Sequence, residues 1–328
     1  MAKNLFDRVK KFLPLIGIVL LFYIIYNLNF EDIKNAFLSI KPIYLVLALS
    51  LTLPAVLIRN FAWWLIQKEQ KINLSYFQSL KIFLIGYFYA SITPAFVGHL
   101  MRIPYMNEKT GEPYGKLFIN VILEVTIRSV AIYIMIIFGL IMVIESFPEI
   151  ELFKTIRIIM IIVIIFTILI LVYFIKKERG EKLFYLFVKY LIPKKFKKTY
   201  YEFVDTFYND FPRVNRIIIP FLLGFVTWII VFSQEYIIVM ALEANIPYLS
   251  FLLLFPVANV AGFLPITFAG LGVRETVSIL IFSTLFAVTQ EEVLVFTLVG
   301  FIVTDIFTGF IGFLVSLTEV RKKRSIPI

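Results

Sequence analysis

Long apolar runs, separated by short polar ones, set the pattern of this chain. The clear runs lie at about 12–28, 42–66, 117–144, 157–175, 217–242 and 293–317. Several exceed 18 residues, the length at which an apolar run reads as a helix crossing a bilayer. Two further apolar regions, 80–104 and 249–289, are interrupted. The first is broken at Thr93-Pro94, with Gly98 and Arg102 following. The second is broken by GFLPITFAGLGVRE at 262–275, which carries a proline, three glycines and the adjacent pair Arg274 and Glu275. Hydrocarbon tolerates broken backbone and charge only where they are buried in protein or line a wet cavity. The expected fold is therefore all-α and polytopic. It has about six full spans and two interrupted or re-entrant hairpins, within a single integral membrane domain over 1–328.

Composition agrees, since 60% of the residues are hydrophobic and the mean hydropathy is +0.91. Soluble domains sit nearer 45–50% apolar. The formal net charge of +10 would point to nucleic acid in a soluble protein. Here it points to cytoplasmic loops facing anionic lipid, and no nucleic-acid partner is expected. The basic N-terminus runs into the first apolar stretch with no small-residue cleavage site, which reads as a retained span.

Charge also orients the chain. Residues 176–216 hold eleven Lys or Arg, and both termini are basic. The positive-inside rule wants all three segments cytoplasmic. That arrangement requires 80–104 to enter and leave on the cytoplasmic side. It then leaves 25 Lys or Arg inside, 4 outside (Lys34, Lys41, Lys154 and Arg157) and 3 within spans (Arg59, Arg128 and Arg274). Region 249–289 becomes a hairpin from the outside, although two close-packed spans fit the same parity. Each half then runs span, span, interrupted hairpin, span, from opposite sides of the membrane. This is an inverted-topology repeat with halves at about 10–145 and 155–318. The loop at 176–216 is aromatic, amphipathic and basic, which suits cytoplasmic interfacial helices or a connector resting on the membrane. The expected location is the cell membrane, with both termini cytoplasmic.

Charges inside spans are costly and usually have a partner or a wet face. They are Arg59, Glu124, Arg128, Glu235, Arg274, Glu275 and Asp305, with His99 and Arg102 at the first break. Glu124 and Arg128 share a helix face at i,i+4. Arg59 and Glu235 occupy comparable positions in the two halves. A guanidinium binds two phosphate oxygens at once, and a helix start offers free N–H groups. Arg102 and Arg274, with Gly98, Gly270 and Gly272, are therefore candidates for binding a lipid headgroup. The glycines serve equally well for tight packing. Trp63, Trp64 and Trp228 are expected to anchor at the membrane interface.

Three segments resemble a known family. PITFAGLGVRE at 265–275 is similar to Pro-x-x-x-Gly-Gly-x-Gly-x-Arg-Glu. TPAFVGHLMR at 93–102 resembles Pro-Gly-x-x-Gly-Glu-x-x-Arg. LEVTIR at 123–128 resembles the Glu-Arg segment of the span that follows. These are signatures of the lysylphosphatidylglycerol synthetase/flippase-like transmembrane family, and the resemblance covers about residues 10–318. The chain departs from it at Ala95, His99 and Ala269, where glycine, an acid and glycine are usual. No stretch resembles the aminoacyl-transferase domain of the bacterial synthetases. The resemblance thus implies lipid translocation rather than lipid aminoacylation.

The expected function is translocation of an anionic, aminoacylated or polyprenyl-phosphate lipid, with membrane lipids as partners. A separate synthase or a second copy of the chain is a further expected partner. The alternative is a membrane glycosyl- or lipid-headgroup transferase using Glu31 and Asp32 of the first external loop, or an accessory subunit of a lipid synthase. The chain has no cysteine and one histidine, and it contains no Walker A loop, GxSxG elbow or HExxH. No cofactor and no metal are expected.

Overall fold

The computed structural model describes residues 15–93, 97–146, 212–263, 267 and 269–324, with isolated positions between 155 and 182. Most of the expected span at 157–175 and of the loop at 176–216 lies outside the described residues. So do Pro94, Ala95 and Pro265 at the breaks.

Among the described residues the fold is helical, without strands. The helices are α1 (Leu15–Asn27), α2 (Phe30–Ser39), α3 (Pro42–Ser50), α4 (Thr52–Glu69), α5 (Tyr76–Ser91), α6 (Arg102–Thr110) and α7 (Tyr114–Ser146). After the undescribed region come α8 (Val214–Ala241), α9 (Tyr248–Ala261), α10 (Val273–Leu285), α11 (Gln290–Phe301) and α12 (Phe307–Arg324). A 3-10 turn, Val97–Met101, leads into α6, and a π-helical segment, Ile302–Ile306, joins α11 to α12. Four helical stretches are long and apolar enough to cross a membrane: Pro42–Glu69, Tyr114–Ile141, Asn215–Ala241 and Gln290–Thr318. Their open faces carry large apolar side chains, such as Leu53, Phe138, Leu222 and Phe310, as lipid contact demands. The protein is a multi-pass, all-α membrane protein.

Both interrupted regions fold as helical hairpins. In the first, the chain turns after α5 and runs back along it. A Cβ on Gly98 would overlap the Tyr89 carbonyl, and one on Gly86 would overlap the side chain of Arg102. Residues 98 and 102 therefore lie beside 89 and 86, in antiparallel order. In the second, α9 and α10 pack antiparallel, with Phe251 stacked on Phe282 at 5.5 Å and Gly270 against Gly262. These helices have 14 and 13 residues, so each is roughly 20 Å long. That is short of the hydrocarbon core of about 30 Å. The hairpin, and not a pair of full spans, is the better description of 249–289.

Two compact units divide the chain. The first comprises residues 1–60, 76–102 and 225–328, and the second 61–75 and 103–224. They are not the two sequence halves, because the first unit draws on both and contains both breaks. Its core is an aromatic cluster of Phe251, Phe255, Phe282 and Phe296, all fully buried, with ring centroids 4.9–6.5 Å apart. Against another side of this unit α12 lies close on α5. Gly312 meets the Leu84 carbonyl, Gly309 meets Ser91 Oγ, and Phe88 packs on Phe313 at 5.3 Å. Small residues let the two backbones approach, as is usual between membrane helices.

In the second unit Ile66, Leu123 and Ile127 form a buried cluster flanked by Ile217 and Phe221. Beside it Trp63 Nε1 donates to Asn120 Oδ1 at 2.7 Å, and Asn120 Nδ2 donates to Gln70 Oε1 at 2.7 Å. The expected interfacial role of the tryptophans needs correction. Trp63 is fully buried, and Trp228, in the first unit, is 5% exposed and stacked on Phe232. Both fill the core. An indole N–H in apolar surroundings requires a partner, and Asn120 supplies it for Trp63.

Candidate functional site

The second break is built by backbone that L-residues seldom adopt. Ala269, Gly270 and Gly272 have φ of +47°, +85° and +85°. These left-handed residues turn the chain from α9 into α10, whose first turn then presents Arg274 and Glu275 to the interior. Glu275 is fully buried. Its Oε2 accepts the Gly272 N–H at 2.5 Å, and its Oε1 accepts Arg274 Nη2 at 2.7 Å and Nε at 3.2 Å. One carboxylate thus caps the helix and holds the guanidinium. Arg274 also lies 4.0 Å from Asp305 Oδ2 and over the Phe301 ring at 4.6 Å.

The first break is capped in a similar way. The Gly98 N–H donates to Thr93 Oγ1 at 2.8 Å. Arg102, fully buried, runs its stem past Gly86 and lays its guanidinium over Phe83 at 4.7 Å. Its Nη2 is 2.9 Å from His99 Nδ1, and Arg59 Nη2 is 3.5 Å from His99 Nε2. Arg59 packs over both Phe83 and Tyr87, at 5.1 and 5.3 Å. Three basic side chains from α4, the 3-10 turn and the start of α6 are thereby gathered in one place.

Tyr87 of α5 joins the two breaks. Its ring meets His99 edge-on at 5.8 Å, and its hydroxyl donates to Asp305 Oδ1 at 2.8 Å. A chain of contacts runs Arg102–His99–Tyr87–Asp305–Arg274–Glu275 within the first unit, polar at every step but the ring contact between His99 and Tyr87. The fold brings Arg59, His99 and Arg102 to one end of that path. Arg274, Glu275, Asp305 and Glu235 stand at the other. Arg59 and Glu235 hold their places in different groups and do not pair. Glu124 and Arg128 sit in the second unit, with Arg128 Nε 3.6 Å from Glu124 Oε1.

The three candidate glycines touch protein. Gly98 presses on α5, Gly270 on Gly262, and Gly272 gives its N–H to Glu275. Glu31 and Asp32 lie exposed in the first turn of α2, where acids favour the helix dipole, and Glu31 pairs with Lys34 at 3.2 Å. Among the described residues no cluster of three or more metal-ligating side chains occurs.

The two hairpins and the charges they bury are set within a chain that matches one family along most of its length. The model of the lysylphosphatidylglycerol synthase transmembrane region covers residues 13–312. The chain belongs to this family. Comparison with curated proteins gives no match. Family membership places the protein in the membrane and ties it to membrane lipid. In this family member, sequence reasoning missed Tyr87, Phe83 and Gly86, which pack against the buried charges. Their only signal was a Tyr, a Phe and a Gly inside an apolar helix, and many such residues occur in this chain.

Proposed function

We propose that the protein is a lipid translocase, handling a lipid with an anionic or aminoacylated phosphate headgroup. The observation that carries this reading is the path of contacts joining two half-membrane hairpins, with Arg102 at one end and Arg274 at the other. Hairpins that stop part-way through a bilayer bring buried charge towards its midplane, where transporters bind substrate. In this reading a phosphate is drawn to the basic group of Arg59, His99 and Arg102. Arg274 exchanges its carboxylate partners for phosphate in a second state. A shift of the hairpins within an inverted repeat then exposes the headgroup to alternate sides. The location is the cell membrane, with both termini cytoplasmic.

The test is translocation of fluorescent lipids in proteoliposomes, with anionic, lysyl-bearing and neutral headgroups. Arg102→Ala and Arg274→Ala are compared with wild type, and Arg102→Lys and Arg274→Lys keep the charge while losing the bidentate fork. The expected result is headgroup-selective movement that falls about tenfold or more in each variant, the loss due when a charged hydrogen bond goes. Wild-type protein shown to be folded that moves none of these lipids overturns the reading.

A further inference from the structure

Glu235 lies about three-quarters of the way along α8, inside a membrane span, and is 3% exposed. Its Oε2 is buried with no hydrogen-bond partner among the described residues. Gly300 of α11 makes the space for it, since a Cβ there would sit 2.9 Å from that oxygen. The charged groups facing Glu235 are Arg274 and Glu275 of α10 and Asp305 of the π-helical segment. On its own helix the neighbouring Gln234 is occupied, donating to Thr52 Oγ1 at 2.7 Å and to the Val303 carbonyl at 3.5 Å. Helix α9 carries no charged residue, and the acids of α11, Glu291 and Glu292, sit in its first turn.

Three carboxylates thus surround one guanidinium. Arg274 is committed to Glu275 and approaches Asp305. Glu275 has the Gly272 N–H as well, and Asp305 has the hydroxyls of Tyr87 and, at 3.2 Å, Thr304. Glu235 has only the Thr304 hydroxyl and the more distant charge of Arg274, and its Oε2 is left without a hydrogen bond among the described residues. Taking a carboxylate out of water is costly unless its partners make up for the lost hydration. The adjoining π-helical segment is a second irregularity here, and such segments recur at functional sites.

We propose that Glu235 carries an exchangeable proton that couples lipid movement to a proton gradient, which rests on the translocase reading above. A proton from water on one side bonds to Oε2 and gives the neutral acid. It leaves to water on the other side, and no electrons are transferred. With the proton bound, Arg274 stays with Glu275 and Asp305. With it gone, the Glu235 carboxylate competes for Arg274, and the pairing at the second break changes.

Two measurements on reconstituted protein test this. Infrared difference spectra across pH read the C=O stretch of a protonated carboxyl, whether or not lipid moves. A band that is present in wild type, absent in Glu235→Gln and shifted in Glu235→Asp is expected. Glu235→Gln mimics the neutral acid and should fold. Should it not, the Glu235→Asp shift alone decides. In parallel, a gradient of about one pH unit should change wild-type lipid translocation by up to about tenfold. In Glu235→Gln the ratio of rates with and without the gradient should fall to one. No carboxyl band assignable to Glu235 overturns the proposal, and so does lipid movement that follows a sodium gradient and ignores a pH gradient. A Glu235 band in protein that moves no lipid supports the proton site and overturns the translocase reading instead.

Discussion

At Gly98 the first break has no room for a methyl group, because the space is taken by the Tyr89 backbone. Backbone cannot swing aside as a side chain can, so Gly98→Ala should destabilise by about 3 kcal/mol. Gly111 is the control. It follows the end of α6, with φ +71°, and nothing lies within 4 Å of its added Cβ. Gly111→Ala should cost only the left-handed strain, about 1 kcal/mol. Melting curves in detergent check the pair, and equal shifts would contradict the close packing claimed for the break. The same logic explains Ala269. It holds φ +47° at a position where the family usually has glycine, so the sequence departure is a strained residue in an otherwise preserved turn. His99 departs differently. An acid there would sit between the guanidinium groups of Arg59 and Arg102, whereas the imidazole leaves that end of the path basic.

The helices themselves were largely legible, because an apolar run long enough to span a membrane has few other ways to satisfy its backbone. The first hairpin was legible from proline, glycine and the distribution of Lys and Arg, whereas for 249–289 the same charge parity fitted two close-packed spans equally well. Three features were not: the interruption at Leu51 between α3 and α4, the short helix α2, and the π-helical segment at Ile302–Ile306. The π-helical segment takes a tertiary contact, Gln234 reaching the Val303 carbonyl, whereas α2 carries local signals that went unread, the Asn29 cap and the acids of its first turn. The site divided the same way. Charges within spans were visible one by one, but their grouping through Phe83, Tyr87 and Gly86 comes from packing between elements. The hairpins make a direct prediction in a chain that has no native cysteine. If α9 and α10 enter and leave on one side, Asn245→Cys and Ala287→Cys should both react with an impermeant maleimide from outside the cell. Asn73→Cys and Pro113→Cys should react only after permeabilisation. Labelling of Asn245→Cys and Ala287→Cys from opposite sides would replace the hairpin with spans.

At the scale of the whole molecule, the unit holding both breaks separates charge. Arg59, His99 and Arg102 lie at one end, and Arg274 with three carboxylates lies at the other. Tyr87 touches both groups directly. Its ring contacts His99 and Arg59, while its hydroxyl reaches Asp305. Such an arrangement lets a change at one break be felt at the other through that hydroxyl. The claim has a thermodynamic form. Side chains joined through a shared partner give non-additive stability effects of about 0.5–3 kcal/mol, and independent ones add. A double-mutant cycle of His99→Ala and Asp305→Asn should therefore show coupling of about 1 kcal/mol in the wild-type background. Repeated in Tyr87→Phe, which keeps the ring and removes the hydroxyl, the coupling should fall close to zero. Persistence of the coupling without the hydroxyl would mean that the two breaks communicate through the packed α5–α12 contact, and the path of contacts would lose its role as the link.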